Sequence, residues 1–291
     1  MKNRYRRVAV LTAIAATVLA FAPVGTASAD SSRVVVLNGD LTEVVFALGF
    51  GKRVVGVDTS ATYPGAAAKL PKIGYQRALS AEPILALDPT LIIGSNTAGP
   101  PTVIEQLRAA GRDVRIFPTA TKLSHIGPKI RRVGKALGGV GPARAKALAA
   151  KVELRLRRAR KSITAERKPR VVFLYLRGQT VQMIGGKGSG ADSMIAAAGG
   201  LDAGRAEGIK GFRPLSPEAL VQLDPDYIVT LSASLQSVGG VNGLLGLPGV
   251  AQTPAGRKRN VLAFDDQEFL GLGPRAPHAL KALIKGLGTA K

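Results

Sequence analysis

The 291-residue sequence contains no cysteine and no tryptophan, two histidines, and aromatic residues at only 4%. Without cysteine there can be no disulfide, no thiolate metal site and no Cys nucleophile. The residue through which bacterial lipoproteins are acylated is missing too, so the sequence predicts a protein that is not a lipoprotein. His125 and His278 have no partner at zinc-ligand spacing, and no nucleophile–His–acid set surrounds either. An enzyme is therefore not expected. Acidic residues are also scarce, 19 against 41 Lys and Arg, for a formal charge of +22. Such a balance favours an acidic partner, whether nucleic acid, a membrane surface or an anionic small molecule.

Long apolar runs are rare as well. Val8 to Ala22 is one, but it is shorter than the ~20 residues a bilayer span requires. Lys2, Arg4, Arg6 and Arg7 precede it, and Ala27-Ser28-Ala29 follows as a small-residue cleavage site. This order is that of a secretory signal peptide over residues 1–29. The expectation is a chain exported to the periplasm, soluble after cleavage, with a charge near +18. Export argues against nucleic acid. The densest basic segment, Arg155 to Lys161, lies in a helical pattern and reads mostly as a solvated face.

Past the signal, short β-branched runs alternate with helical stretches. Arg33–Leu37, Val54–Val57, Leu91–Ile93 and Val114–Phe117 read as buried strands. Leu41–Leu48 and Pro101–Ala110 read as helices. This alternation implies an α/β fold with mainly parallel sheet. From Leu123 to about Thr164 no strand signal appears; Ser124 is placed to cap a helix running to Leu137, and a longer helix follows from Pro142 to Ile163. Strand–helix alternation resumes at Val171–Tyr175. The predicted organisation is a lobe over 30–122, a helical connector over 123–166 and a second lobe over 167–291.

The two lobes carry an internal repeat. Arg77 to Ile92 and Arg213 to Ile228 align without a gap at an offset of 136, with eight identities in sixteen positions. Each copy reads as a loop, a Ser helix cap, a short helix, an Asp-Pro break and a buried strand. Equivalent loops of a tandem pair should face each other across a cleft, a usual place for ligands. Gly185–Gly190 lacks P-loop order and reads as a turn.

Ile73-Gly-Tyr-Gln-Arg77 leads into the first of these capped helices. A ferric ion favours phenolate over phenol, and a guanidinium two residues away favours the anion as well; tyrosinate is an axial ligand of haem iron. A pocket-lining Tyr beside a solvated Arg is the plainer reading of the same residues.

The run Val35 to Gly49, Gly56-Val-Asp58, Tyr63-Pro64, Ile73 to Glu82, Gly211 to Leu220 and Leu247 to Val250 resembles the periplasmic haem-binding proteins of bacterial ABC-type haem importers. These are class III substrate-binding proteins, two Rossmann-like lobes joined by a long backbone α-helix, with siderophore and corrinoid binders among their kin. The resemblance implies that Tyr75 ligates ferric haem, that Arg77 supports it, and that Arg213 reaches the cleft from the second lobe. It implies that Glu82 and Glu218 dock onto a permease dimer, and that the protein acts as a monomeric carrier. Some members add a His in the second lobe; here that stretch reads Phe173 to Gly178, leaving Tyr175 and Arg177 as substitutes. A ferric siderophore or a corrinoid is the alternative cargo.

Overall fold

The computed structural model describes residues 33–290; the expected signal peptide lies outside the described residues. Among these, no helix is long and apolar enough to cross a membrane.

Four strands form an all-parallel sheet in the order Val54–Val57, Val34–Val36, Leu91–Ser95, Asp113–Phe117. The second sheet is mixed. Arg170–Arg177, Tyr227–Leu231 and Val261–Phe264 run parallel, while Val181–Gly185 and Phe212–Pro214 are antiparallel additions at one edge. Only three residues join Arg177 to Val181, too few for a crossover, so that strand must return antiparallel.

Between the sheets lie the helices Ile126–Leu137 and Gly141–Lys161. The first starts two residues later than its expected Ser124 cap, because Leu123–His125 forms a 3-10 turn instead. Ile126, Ile130, Val133 and Leu137 are buried at helical spacing, as are Ala145, Ala149, Val152 and Leu156. The two helices touch closely at Gly134, where a Cβ would stand 2.3 Å from that of Ala145.

Period-two alternation along the strands divides the apolar residues between three clusters. Val34, Val36, Leu91 and Ile93 of the first sheet join Val171, Phe173, Val229 and Leu231 of the second in one core, together with the buried residues of both connector helices. The opposite faces pack locally. Val35, Leu37 and Ile92 belong to a cluster within the first lobe, and Val172, Leu174 and Ile228 to one within the second.

The repeat is visible in backbone detail. Ser80 and Ser216 precede the helices Ala81–Leu85 and Pro217–Leu223 with nearly identical angles, φ −120 and −116, ψ 147 in both. Asp88 and Asp224 both take a left-handed conformation, φ 42 and 44. The guanidinium of Arg33 donates through Nε and Nη2 to the Leu87 carbonyl at 3.1 and 2.8 Å. That of Arg170 does the same to the Leu223 carbonyl, at 3.0 and 2.9 Å. In each lobe an arginine at the N-terminal end of a strand, Arg33 just before Val34 and Arg170 at the first position of its own, thus caps the helix end of the repeat. Only Ser216 uses its hydroxyl as a cap, accepting from Ala219 N at 3.1 Å.

At φ 44 a β-branched side chain clashes where Asp or Gly is tolerated. Asp224→Val should lower stability by ~1–2 kcal/mol, while Asp224→Gly should leave it unchanged or raised, as read from the midpoints of thermal unfolding.

Candidate functional cleft

Ligands of open parallel sheets gather at the carboxyl ends of the strands, where the loops diverge. In the first lobe those ends lead into Asn38, Asp58–Tyr63 and Asn96–Thr97. The hairpin Gly74–Tyr75/Ala78–Leu79 is tied over this edge. Thr59 N donates to the Gly74 carbonyl at 3.0 Å, Leu79 N to Gly99 at 2.9 Å, and Gly99 N to Gln76 at 2.8 Å. The Gln76 side chain turns inward and accepts from Asn38 Nδ2 and Thr97 Oγ1. Asn38 Oδ1 in turn accepts from Ser95 N at 2.7 Å. Tyr75 and Arg77, on either side of Gln76, are exposed, Tyr75 to 46%. Neither side chain has a hydrogen bond or ion pair among the described residues. The hairpin is fixed while its phenol and guanidinium stay open.

The second lobe presents an aromatic wall at the matching edge. Phe212, 39% exposed, meets Phe173 and Tyr175 edge-on at 6.3 and 5.9 Å. Phe173 stacks on Phe269, and Phe269 on Phe264, at 5.9 and 4.8 Å. Arg177 lies 4.5 Å above the Tyr175 ring, pairs with Asp266 at 2.7 Å and donates to Ser234 Oγ at 2.9 Å. Tyr175 is therefore half-buried against its neighbours, and Arg177 is already charge-compensated. Arg213 alternates with Phe212 along its strand and turns to the other sheet face, where it lines a shallow cavity with Glu207, Gln222 and Ala219. No contact joins it to Tyr75 among the described residues. Glu82 and Glu218 stand exposed in the first turns of the two repeat helices.

The lobes are joined beside the cleft by a buried polar cluster that sequence reading did not single out. Gln267 of the second lobe accepts through Oε1 from the backbone N–H groups of Thr62 and Tyr63, at 3.1 and 3.0 Å. Its Nε2 donates to the carbonyls of Gly39 and Tyr63, at 2.8 and 3.1 Å. Glu43, only 2% exposed, receives Arg275 Nε and backbone N at 3.1 and 3.0 Å. The same guanidinium reaches Asp265 and Glu268 and lies 3.8 Å over the ring of Tyr63. Burial pushes the Glu43 carboxyl up, opposed by Arg275 and Lys129. Buried Lys129 of the connector bridges Asp40 at 2.8 Å and the Gly271 carbonyl at 2.7 Å. A glutamine, a glutamate on an apolar helix and a late arginine share no motif, so only the fold reveals their meeting.

Asp58, fully buried under the Tyr63 loop, is pushed up to about 6 by burial, although Ser60 lowers it by hydrogen bonding. Its Oδ1 has no hydrogen-bond partner. Asp202 behaves alike in the second lobe, at about 6. Among the described residues no group of His, Cys, Asp and Glu could hold a metal ion.

The family model described as periplasmic binding protein matches residues 34–268. The periplasmic heme-binding protein RhuT from Roseiflexus sp. RS-1, solved in apo form, is 50% identical with a TM-score of 0.86, over 88% of this chain and 98% of that one. The periplasmic heme-binding protein BhuT, solved with two hemes, is 39% identical with a TM-score of 0.81, over 88% and 97%. A cobalamin-binding protein of Halobacterium salinarum is 29% identical over 86% of this chain and 68% of its own. The chain spans about two thirds of the length of such curated relatives, 64% of one and 68% of another.

Two outcomes follow from the buried groups. Glu43→Ala leaves the Arg275 guanidinium without its buried partner and should cost about 3 kcal/mol in denaturant unfolding. Asp58 carries a folded-state pKa above its unfolded value of about 3.9, so it binds more protons folded than unfolded between those values. Stability should then fall as pH rises from about 4 to about 6. Asp58→Asn, which keeps an acceptor for Ser60 N, should flatten that slope and gain roughly 2 kcal/mol at pH 7 relative to the parent.

Proposed function

We propose that this chain, which belongs to the periplasmic binding protein family, captures ferric haem between its lobes outside the cytoplasm. It then surrenders the haem to an ABC importer. The observation that carries the proposal is Tyr75: a phenol 46% exposed, on a hairpin held by backbone bonds, with an uncommitted guanidinium two residues away. Heme-binding proteins similar over almost the whole chain, at 50 and 39% identity, support the choice of cargo.

In this reading the Tyr75 oxygen binds iron as phenolate, and Arg77 supplies the adjacent positive charge. Phe212 and Tyr175 give the porphyrin an apolar surface from the opposite lobe. Tyr63, exposed and backed by Arg275, offers a second one. Arg177 is held by Asp266 and serves mainly to set Tyr175; Arg213, beside Glu207 and Gln222 on the other sheet face, does not act on iron. Glu82 and Glu218 project from equivalent helices, one per lobe, and a permease dimer with two-fold symmetry would receive them as a pair. Nothing covalent happens to the cargo, so the protein is a carrier. A corrinoid is the competing cargo, favoured by the cobalamin-binding relative.

Haemin added to the protein should give a high-spin ferric spectrum with a charge-transfer band. Tyr75→Phe should abolish that band, and Arg77→Ala should weaken binding tenfold or more, on the scale of losing a partner of a metal ligand. Binding of cobalamin without binding of haemin would transfer the assignment to the corrinoid. An unchanged haemin spectrum in Tyr75→Phe would remove Tyr75 from the iron.

A further inference from the structure

We infer that the outward face of the connector helix Gly141–Lys161 is a docking surface for a bilayer rich in anionic phospholipid, independent of the cargo site. Val152, Leu156, Ala145 and Ala149 point inward. At 3.6 residues per turn, Arg158 and Lys161 lie on the side opposite, with Lys151 and Arg157 beside them and Lys146 at its margin, all exposed. Amid these cations stand Leu154, 40% exposed, and the small residues Ala147 and Ala150. The one acidic residue of the helix, Glu153, is engaged by Arg131 at 3.1 Å. None of the five cations has a hydrogen bond or ion pair among the described residues. Arg132 and Lys135 extend the same charge onto the preceding helix, also exposed and unpaired among the described residues.

A face that merely kept the protein soluble would interleave both signs. This one sets like charges at helical spacing, Arg157 with Lys161 and Arg158 with Lys161, an arrangement that destabilises a helix by itself. Attraction to the helix C-terminus accounts for cations in the last turn, but Lys146 and Lys151 lie about four and about three turns away from it. On such a basic stripe the cations meet lipid phosphates, and the single outward leucine near its centre enters the headgroup layer. Glu82 and Glu218 lie on other helices, so a lipid contact here and a protein contact at the lobe tips draw on different residues.

The test is co-sedimentation of the whole protein with vesicles of phosphatidylglycerol and phosphatidylcholine in equal parts, against vesicles of phosphatidylcholine alone. Binding is expected only with phosphatidylglycerol and should vanish at high salt. The triple variant Arg157→Gln/Arg158→Gln/Lys161→Gln should bind about a hundredfold more weakly, roughly fivefold per cation. A control of equal net charge, Lys69→Gln/Arg108→Gln/Arg257→Gln, should lose less than about threefold. Both variants should titrate haemin like the parent, which shows that they fold and separates this outcome from that of the haem proposal. Equal losses in the two triples would overturn the inference, since net charge alone would then drive adsorption. So would absence of vesicle binding in a protein that still binds a soluble polyanion such as heparin.

Discussion

One apolar core is shared by two sheets. The inner faces of both lobes and the buried stripes of two connector helices contribute to the same cluster, so neither lobe can move far without exposing residues of the other. Burial of apolar surface at ~25 cal/mol per Å² makes that exposure costly. A flexible linker would have left two cores and a hinge between them. Here the connector is itself core, and the lobes behave as parts of one packed body.

The polar contacts beside the cleft refine what the core imposes. Gln267 satisfies two N–H groups and two carbonyls of the opposite lobe with one neutral side chain. An amide suits this place, because it both donates and accepts and carries no charge to desolvate. Glu43 and Arg275 are charged, and their pairing offsets a burial penalty that neither could bear alone. These contacts fix the Tyr63 loop and the first helix of one lobe against the other beside the cleft. In the Tyr75 hairpin the backbone and the Gln76 carbonyl oxygen are likewise engaged, while the Tyr75 and Arg77 side chains are not.

Much of the architecture was legible in the sequence because it rests on local rules. Strand runs, the two connector helices and the Ser–Asp-Pro repeat depend on residue type and spacing, and the structure returns them with small shifts of boundary. The repeat was legible as far as its Asp-Pro breaks, where the structure adds the left-handed turns at Asp88 and Asp224. The mixed character of the second sheet was missed, since Val181–Gly185 lacks strong β signals and is placed by a tight turn. The cleft residues were legible only in part. Tyr75 and Arg77 stand in a loop whose position follows from the repeat, whereas Gln267, Glu43 and Arg275 meet across more than 200 residues of chain. Arg213 shows the limit of reasoning by repeat: it matches Arg77 in sequence, yet Arg77 sits in a hairpin turn whereas Arg213 lies within a strand, where alternation beside Phe212 turns its side chain to a different face.

That divergence has a consequence for whatever lies between the lobes. Gln76 and Phe212 occupy matching places in the two copies, one a hydrogen-bonded amide tucked into a sheet edge, the other a phenyl ring set among aromatics. The repeat gives two similar frames, and the residues at this matched position make one polar and the other apolar. With Gln76 turned inward, the walls are unlike: an open phenol and guanidinium on one side and an aromatic ring on the other.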